Sequence, residues 1–321
     1  MKILVTGGAG FIGSHVVDAY IAQGHSVTVI DNLSTGYREF LNPKARFYQI
    51  DITDRLAVRE VFARERFDLV NHHAAQVDVR VSVAHPLADA HTNIMGLLTL
   101  LEACREFSVK RFILISSGGV IYGEPTRLPI PEDAPKQPIS PYGIAKLTSE
   151  LYLFSAKQTW GLCYVALRYA NVYGPRQTPK SEATVISTFA RALARDETVT
   201  IFGDGQQTRD FVFVSDVVTA NLLATQRLDE LNRAPARSID DLAFNVGTGK
   251  EISINELLQQ FSHVLQRRCT AHYVAPRPGE LRRNALDISK AQRILGFTPK
   301  ISLAEGLHET IAWVRSNSLA V

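Results

Sequence analysis

The sequence is short of cysteine, short of net charge and without long apolar runs, and each shortage removes a class of protein. Cys104, Cys163 and Cys269 are the three cysteines in 321 residues, an odd number and widely scattered. They form neither a disulfide framework nor metal-ligand spacing, so a reducing cytoplasm is the expected compartment. A formal charge of +3 is too small to imply a nucleic-acid or membrane-surface partner. No apolar stretch approaches the roughly 20 residues of a spanning helix. The chain opens straight into a strand pattern, Lys2-Ile-Leu-Val-Thr6, with no charged-then-apolar leader. Internal repeats, low complexity and a detachable linker are also missing. What remains is ordinary globular usage, 45% hydrophobic and 21% charged, enough for one large or two moderate domains.

The apolar residues come in short blocks separated by helical patterns. Ile3-Leu-Val5 is the continuous run of a strand buried on both faces. Gly7-Gly-Ala-Gly-Phe-Ile-Gly13 follows, then a helical pattern through Val16, Val17 and Tyr20, then Val27-Thr-Val-Ile30 ending at Asp31. Strand, glycine loop, helix, strand and acid, in that order, turn a glycine pattern into a dinucleotide site. Gly7 (or Gly8), Gly10 and Gly13 allow a tight turn and close approach of a pyrophosphate to the helix start at Phe11 and Ile12. By itself the triplet could be a plain turn; Asp31 decides between the two. Its carboxylate can accept from both ribose hydroxyls and repels a 2′-phosphate. Asn32, Ser34, Thr35 and Gly36 follow without an arginine to neutralise such a phosphate, although Arg38 is close. NAD is the expected cofactor.

The alternation continues. A strand at 47–50 leads to Asp51 and Ile52, where side chains could meet an adenine, and a helix is expected at 54–66 with Leu56, Val58, Val61 and Phe62 inward. Strand 68–70 leads to His72, His73, Ala74 and Ala75; small alanines let a cofactor approach the backbone. The paired histidines invite a metal reading, but with no third ligand nearby packed histidines are the plainer account, and no metal is expected. A long helix is expected at 90–107. Strand 111–115 delivers Ser116 and Ser117 to the carboxyl edge of a parallel sheet, where ligands bind. The Pro-rich run 125–141 is a loop, either a cover or a passive connection.

After residue 175 the regularity breaks down. A helix at 184–195, strands at 199–202 and 210–214, and a helix at 215–226 that packs back onto the first part are expected. Residues 228–241 read as a mobile polar loop. Ser253 and Ser302 each stand three residues before a glutamate, Glu256 and Glu305, the pattern of a capping box. The expected fold is α/β, a Rossmann-type doubly wound parallel sheet with a smaller mixed α/β C-terminal substrate domain. The expected division is 1–174, with the return of 215–228, against an intertwined 175–321.

The chemistry centres on Ser140-Pro-Tyr-Gly-Ile-Ala-Lys146. Pro141 suits a first helical position, and the i,i+4 spacing puts Tyr142 and Lys146 on one face. A free phenol has a pKa of about 10. A neighbouring ammonium and a cationic nicotinamide favour the phenolate, and lowering it by roughly three units corresponds to about 4 kcal/mol. Such a group can take a proton from an alcohol. A tyrosine and lysine at this spacing often mean nothing; the glycine loop, Asp31 and the serines give the pair its weight.

Assembled, these segments resemble the extended short-chain dehydrogenase/reductase superfamily and, within it, the bacterial UDP-glucose (UDP-galactose) 4-epimerases. The resemblance covers nearly the whole chain, including Phe202 to Val212, Arg277 to Glu280 and Leu286 to Phe297. It implies Tyr142 as base, Lys146 on the nicotinamide ribose, Asp51 and Ile52 at the adenine, and Asn93 on the cofactor side. It also implies Asn171 near the substrate diphosphate, Arg209 and Arg277 on that diphosphate, Thr200 and Phe202 flanking the uracil, and Glu280 among the substrate contacts. Many relatives carry the catalytic Ser or Thr at the position of Gly118, so Ser117 is assigned the sugar's 4-hydroxyl, with Ser116 the other candidate. Gly119-Val120 replaces the Asp-Glu pair of the 4,6-dehydratases, and Asn171 the threonine usual in uronate epimerases, so a neutral UDP-hexose is the implied substrate. Asn284, where some relatives have a restricting tyrosine, implies tolerance of UDP-GlcNAc and UDP-GalNAc. A homodimer through helices 90–107 and 142–160 is implied as well. The competing readings are another nucleotide-sugar oxidoreductase or dehydratase, and a non-catalytic NAD-binding regulator.

Overall fold

Successive residues of each central strand face opposite ways, and here both faces meet an apolar core, which is why the strands read as unbroken apolar runs. The computed structural model describes residues 1–180, 184–277, 281–317 and 319. In chain order the first part comprises β1 (Lys2–Thr6), α1 (Phe11–Ala22), β2 (Ser26–Asp31), β3 (Arg46–Gln49), α2 (Arg55–Glu65), β4 (Leu69–His72), α3 (Val79–Ala84), α4 (Pro86–Ala90), a π-helical turn (His91–Met95), α5 (Gly96–Glu106) and β5 (Arg111–Ser117). Then come α6 (Pro141–Trp160), β6 (Cys163–Tyr169), β7 (Asn171–Tyr173), α7 (Val185–Ala194), β8 (Val199–Phe202), β9 (Thr208–Arg209), β10 (Phe211–Phe213) and α8 (Val214–Leu231). The chain closes with β11 (Ala243–Val246), β12 (Ile252–Ser253), α9 (Ile254–Val264), β13 (Ala271–Val274) and α10 (Leu303–Ser316).

Seven strands form one sheet in the order β11-β6-β5-β4-β1-β2-β3, every pairing parallel, with Ile3 opposite Val27 on one side and Leu69 on the other. Ile3, Val5, Ile113, Ile115, Val165 and Leu167 share one core with Val16, Val17 and Tyr20 of α1 and Val217, Ala220 and Ala224 of α8. Leu4, Val70, Phe112, Leu114 and Tyr164, one register step away, share the other with Val58 and Phe62 of α2, Leu97 and Leu100 of α5 and Leu153 of α6. This is the expected doubly wound fold. Strand order reverses between β1 and β4, so a crevice opens at the carboxyl ends of those strands.

The large layer draws on more of the chain than residues 1–174. Helix α8 packs beside α1, with Tyr20 and Thr225 hydroxyls 2.6 Å apart, and β11 supplies the seventh strand. The smaller portion holds three two-stranded pairings, β10 with β7, β12 with β9 and β13 with β8, under α7, α9 and α10. Both capping boxes form, Ser253 with Glu256 and Ser302 with Glu305.

Three expectations change. The helix expected to start at 90 starts at Pro86, a proline at the first helical position, and runs through the π-helical turn into α5. A Cβ on Gly96 in that helix would stand 2.5 Å from the Ile52 side chain, so glycine is what lets it press on the cofactor side of the sheet. Leu56 is 74% exposed; α2 turns Val58, Val61 and Phe62 inward and leaves this second residue outside. The polar stretch 228–241 is not a free loop. Leu228 to Leu231 continue α8, the Asn232 amide donates to the Tyr164 carbonyl, and Asp240 accepts from Arg168 and Lys136. Asp240 serves a buried network, while the other charged residues of the stretch face solvent.

Candidate active site

The glycine loop closes because two residues lack side chains where backbone must pass. Gly7 sits at φ +69°, a conformation that favours glycine, and a Cβ there would meet the Ala74 backbone nitrogen at 2.6 Å. A Cβ on Gly13 would lie 2.2 Å from the Gly7 carbonyl oxygen. A Cβ on Gly8 would strike Val29, so that glycine serves packing against β2. The result is a bare backbone cradle at the start of α1, the arrangement that receives a pyrophosphate.

Beside it, Asp31 ends β2. Its Oδ2 accepts from the Ala9 N–H at 3.0 Å and its Oδ1 from the Leu33 N–H at 2.8 Å, leaving a lone pair on each oxygen for a ribose hydroxyl. Burial pushes its pKa up, while those two N–H groups and Lys180 work against the rise. Asp51 is held by Thr53 and Asn32. The cradle, the acid and the small side chains fit a bound NAD.

These groups open into one cavity of about 1050 Å³, large for a single small ligand. Gly7, Gly10, Phe11, Ile12 and Gly13 line it, with Asp31, Asn32, Ser34, Thr35, Asp51 and Ile52. Ala74, Ala75, Ser116, Ser117, Tyr142 and Lys146 line the same cavity, as do Asn171, Arg209 and Arg277.

At the centre, α6 starts as its sequence dictates: Ser140 caps it by accepting from the Gly143 N–H at 3.1 Å, and Pro141 follows. Tyr142 and Lys146 emerge a turn apart, with the Lys146 Nζ 5.7 Å from the centre of the Tyr142 ring. Lys146 donates to the Ile115 carbonyl at 2.9 Å. Burial lowers its pKa to about 8, a fall moderated by Asp89 and Glu150. Ser117, at the end of β5, is half-buried and its hydroxyl has no hydrogen bond to a described residue. Ser116 is committed: its hydroxyl donates to Glu150 at 2.5 Å. Gly118 does not line the cavity, and a Cβ there would run into the buried Leu286 side chain at 2.5 Å.

Several candidates lie elsewhere. Asn93 is 3% exposed and spends its amide on the loop before α3, accepting from the Gln76 N–H and donating to Asp89 and the Gln76 carbonyl. Gly36 packs on Ala9. Thr200 is exposed on β8, outside the cavity lining. Phe202 stacks beneath Arg277, whose guanidinium carbon is 3.7 Å from the ring centre, and so supports the lining without joining it. Glu280 lies outside the described residues, as do the last two residues before it in the segment from Arg277. Asn171 donates toward the Asp210 carbonyl at 3.4 Å.

Two features were not read from the sequence. His73 lines the cavity with its Nε2 unpartnered among the described residues, while His72 pairs with the Thr6 hydroxyl at 2.7 Å; a doublet gives no hint which ring turns inward. Arg168 and Glu150, both fully buried, form an ion pair that reaches Ser116, Tyr122 and Asp240. A charged residue inside the apolar run of β6 was the available signal.

A doubly wound sheet with a glycine cradle, an acid after β2 and a tyrosine-lysine pair in the crevice defines an NAD-binding Rossmann enzyme of the short-chain dehydrogenase/reductase type. Residues 3–247 match the model of the NAD dependent epimerase/dehydratase family, and the chain belongs to that family. A UDP-glucose 4-epimerase of Mycolicibacterium smegmatis is 40% identical over 99% of this chain and 100% of its own. The crystal structure of a UDP-glucose 4-epimerase from Thermotoga maritima with UDP-glucose superposes with a TM-score of 0.92, at 46% identity over 98% of this chain and 99% of that one. A Thermus thermophilus UDP-glucose 4-epimerase in complex with NAD has a TM-score of 0.90 at 39% identity, over 98% and 99% of the two chains.

Proposed function

We propose that this chain is an NAD-dependent 4-epimerase that interconverts UDP-glucose and UDP-galactose through a 4-keto sugar. The observation that carries the reading is one cavity lined by the cofactor cradle, by Arg209 and Arg277, and by Tyr142, Lys146 and Ser117. Relatives alike over their full length act on UDP-glucose or carry NAD. When bound, NAD supplies a hydride acceptor that can return what it takes.

The chain's own residues do the rest. Tyr142 takes the proton of the sugar's 4-hydroxyl and later gives it back. Lys146, a cation a turn away, favours the phenolate and holds the ribose. Ser117, with its hydroxyl uncommitted, orients the 4-oxygen. Arg209 and Arg277 grip the diphosphate with forked donors, Asn171 lies near them, and Phe202 stiffens Arg277. Strong holding at the nucleotide end and few fixed donors around the hexose allow the keto sugar to turn its other face. Asn284 is buried against Gly118, its amide 3.4 Å from that carbonyl, and a small side chain at this position supports acceptance of UDP-GlcNAc and UDP-GalNAc as well. Gly119-Val120 offers no acid for dehydration.

The remaining assignments belong to the same reading. Residues 1–174 with 214–246 make the cofactor unit, and 175–213 with 247–321 make most of the sugar unit. The chain works as a homodimer: Leu87, Met95, Ile144 and Leu151 are all more than half exposed on helices that pack against one another, an apolar surface that calls for a partner. Three free cysteines fit a cytoplasmic enzyme, and among the described residues no helix is long and apolar enough to cross a membrane. The deciding experiment supplies UDP-galactose to purified protein without added NAD. Formation of UDP-glucose is expected; failure with both hexose and N-acetylhexosamine substrates would sink the reading.

A further inference from the structure

Between β9 and β10 stands Asp210, next to Arg209 in the chain and fully buried. A carboxylate is almost never fully buried without partners, and here the partners are neutral donors. Its Oδ1 accepts from the Thr248 N–H at 2.8 Å and from the Thr248 hydroxyl at 2.6 Å. Its Oδ2 accepts from the N–H groups of Gly249 at 3.0 Å and Leu286 at 3.3 Å. Two donors on each oxygen suit the ionised form, which only accepts. Burial pushes the pKa of Asp210 up, and the same donors work against the rise. Gly247 makes the room: a Cβ there would stand 2.5 Å from Oδ2.

The segments gathered on this residue all reach the main cavity. The Asp210 carbonyl accepts from the Asn171 N–H at 2.9 Å, and Asn171 and Arg209 both line the cavity. Successive residues of an extended chain face opposite ways, so anchoring Asp210 inward leaves Arg209 turned toward the cavity. On the other side, the Leu286 side chain fills the space behind Gly118, the residue after Ser117. One carboxylate therefore joins the strand path of Arg209 to the loop after β11 and to the segment that backs Ser117.

The plain alternative is a staple that only stabilises the fold. It accounts for the burial and the four donors. A staple alone, however, would affect stability, cofactor and turnover together, whereas a residue that holds Arg209 in place would act on the diphosphate.

We propose that Asp210 is a positioning residue for the nucleotide sugar, its carboxylate holding Arg209 where it grips the diphosphate; this rests on the reading of the cavity given above. The grip is the same before and during the chemistry, so its loss appears in KM and not in kcat.

The test uses the full chain with saturating NAD. It measures the dissociation constant of UDP by calorimetry, the affinity for NAD, and KM and kcat with UDP-galactose. Thr248→Val keeps the side-chain shape and removes one donor to the carboxylate. It should weaken UDP binding and raise KM about fivefold, with kcat within about twofold of the parent and NAD affinity unchanged. Thr248→Ser restores the hydroxyl and should restore UDP binding. Asp210→Asn turns an amide nitrogen against N–H donors and should weaken UDP binding at least about tenfold with the same split. If that variant fails to fold, the Thr248 pair decides. Parent-like UDP binding in Thr248→Val, or a loss shared equally by UDP binding, NAD affinity and kcat, overturns the proposal while leaving the cavity reading intact. A parent chain that neither binds UDP nor acts on UDP-galactose overturns that reading and this inference with it.

Discussion

Lys146 is held fully inside the protein against the Ile115 carbonyl, and that placement has a cost. Its pKa stands at about 8 against an ordinary 10.5, so the unfolded chain holds the proton more tightly between those values. Stability therefore rises with pH from about 8 to 10.5, and below 8 the full penalty of about 3 kcal/mol applies. Lys146→Met removes the penalty but strips the Ile115 carbonyl of its donor, worth about 1 kcal/mol. The variant should be inactive yet about 2 kcal/mol more stable at pH 7 by denaturant unfolding; equal or lower stability would show that the ammonium is better solvated than its burial implies. Tyr142→Phe should cut turnover at least a few hundredfold while cofactor stays bound, and near-normal turnover would remove Tyr142 as the base. Ser117→Ala should slow turnover with little loss of stability, whereas Ser116→Ala should chiefly destabilise, since its hydroxyl bonds Glu150. Kinetics and melting on both variants separate the two serines, and a reversed pattern would exchange their roles.

Among the elements, α6 does two jobs. Its first turn presents Tyr142 and Lys146, and two turns on it carries Glu150 to the fully buried Arg168 of β6. Arg168 in turn reaches Asp240 in the segment after α8 and the Tyr122 hydroxyl after β5. One ion-pair network thus fixes α6 against the strand ends that shape the cavity. Breaking a buried pair by removing one partner typically costs about 3–5 kcal/mol, so Glu150→Gln should destabilise on that scale. Asp240→Ala should cost less, about 1–2 kcal/mol, because Arg168 keeps Glu150. Urea midpoints compare the two; an equal or larger loss in Asp240→Ala would mean that the outer carboxylate dominates.

For the whole molecule, acid is the exposing condition. His15, donating to the Pro175 carbonyl between the two portions of the chain, has its pKa lowered to about 4 chiefly by burial, and His73 in the cavity to about 3. The unfolded chain takes up a proton on each near pH 6.5 and the folded chain does not. Each histidine therefore removes about 1.4 kcal/mol per pH unit as pH falls from 6.5 toward its folded pKa. Buried carboxyls such as Asp31 shift upward and oppose this, so the informative quantity is a difference. His15→Gln should lose stability less steeply than the parent between pH 6.5 and 4, and parallel curves would assign the acid sensitivity elsewhere. At the same scale, sedimentation tests the proposed homodimer: the parent chain should run as a dimer and Leu87→Glu as a monomer with the fold intact, and a monomeric parent would remove the proposal.

The order of elements, the cofactor and the placing of Tyr142 and Lys146 on one helix face were legible in the sequence because each rests on local rules. A strand buried on both faces shows as Ile3-Leu-Val5, a phosphate loop as Gly7 to Gly13, and a helix start as Ser140-Pro141 with Tyr142 and Lys146 one turn apart. Which side chains meet across the chain was not legible. That Ser117 rather than Gly118 opens on the cavity depends on Leu286, more than 160 residues away. That residues 232–241 are pinned depends on Arg168 and Lys136, and the seventh strand on parallel pairing of residues 243–246 with β6. Local sequence carries propensity and periodicity, whereas the direction of a side chain at a strand end and the partner of a buried charge are set only when distant segments pack.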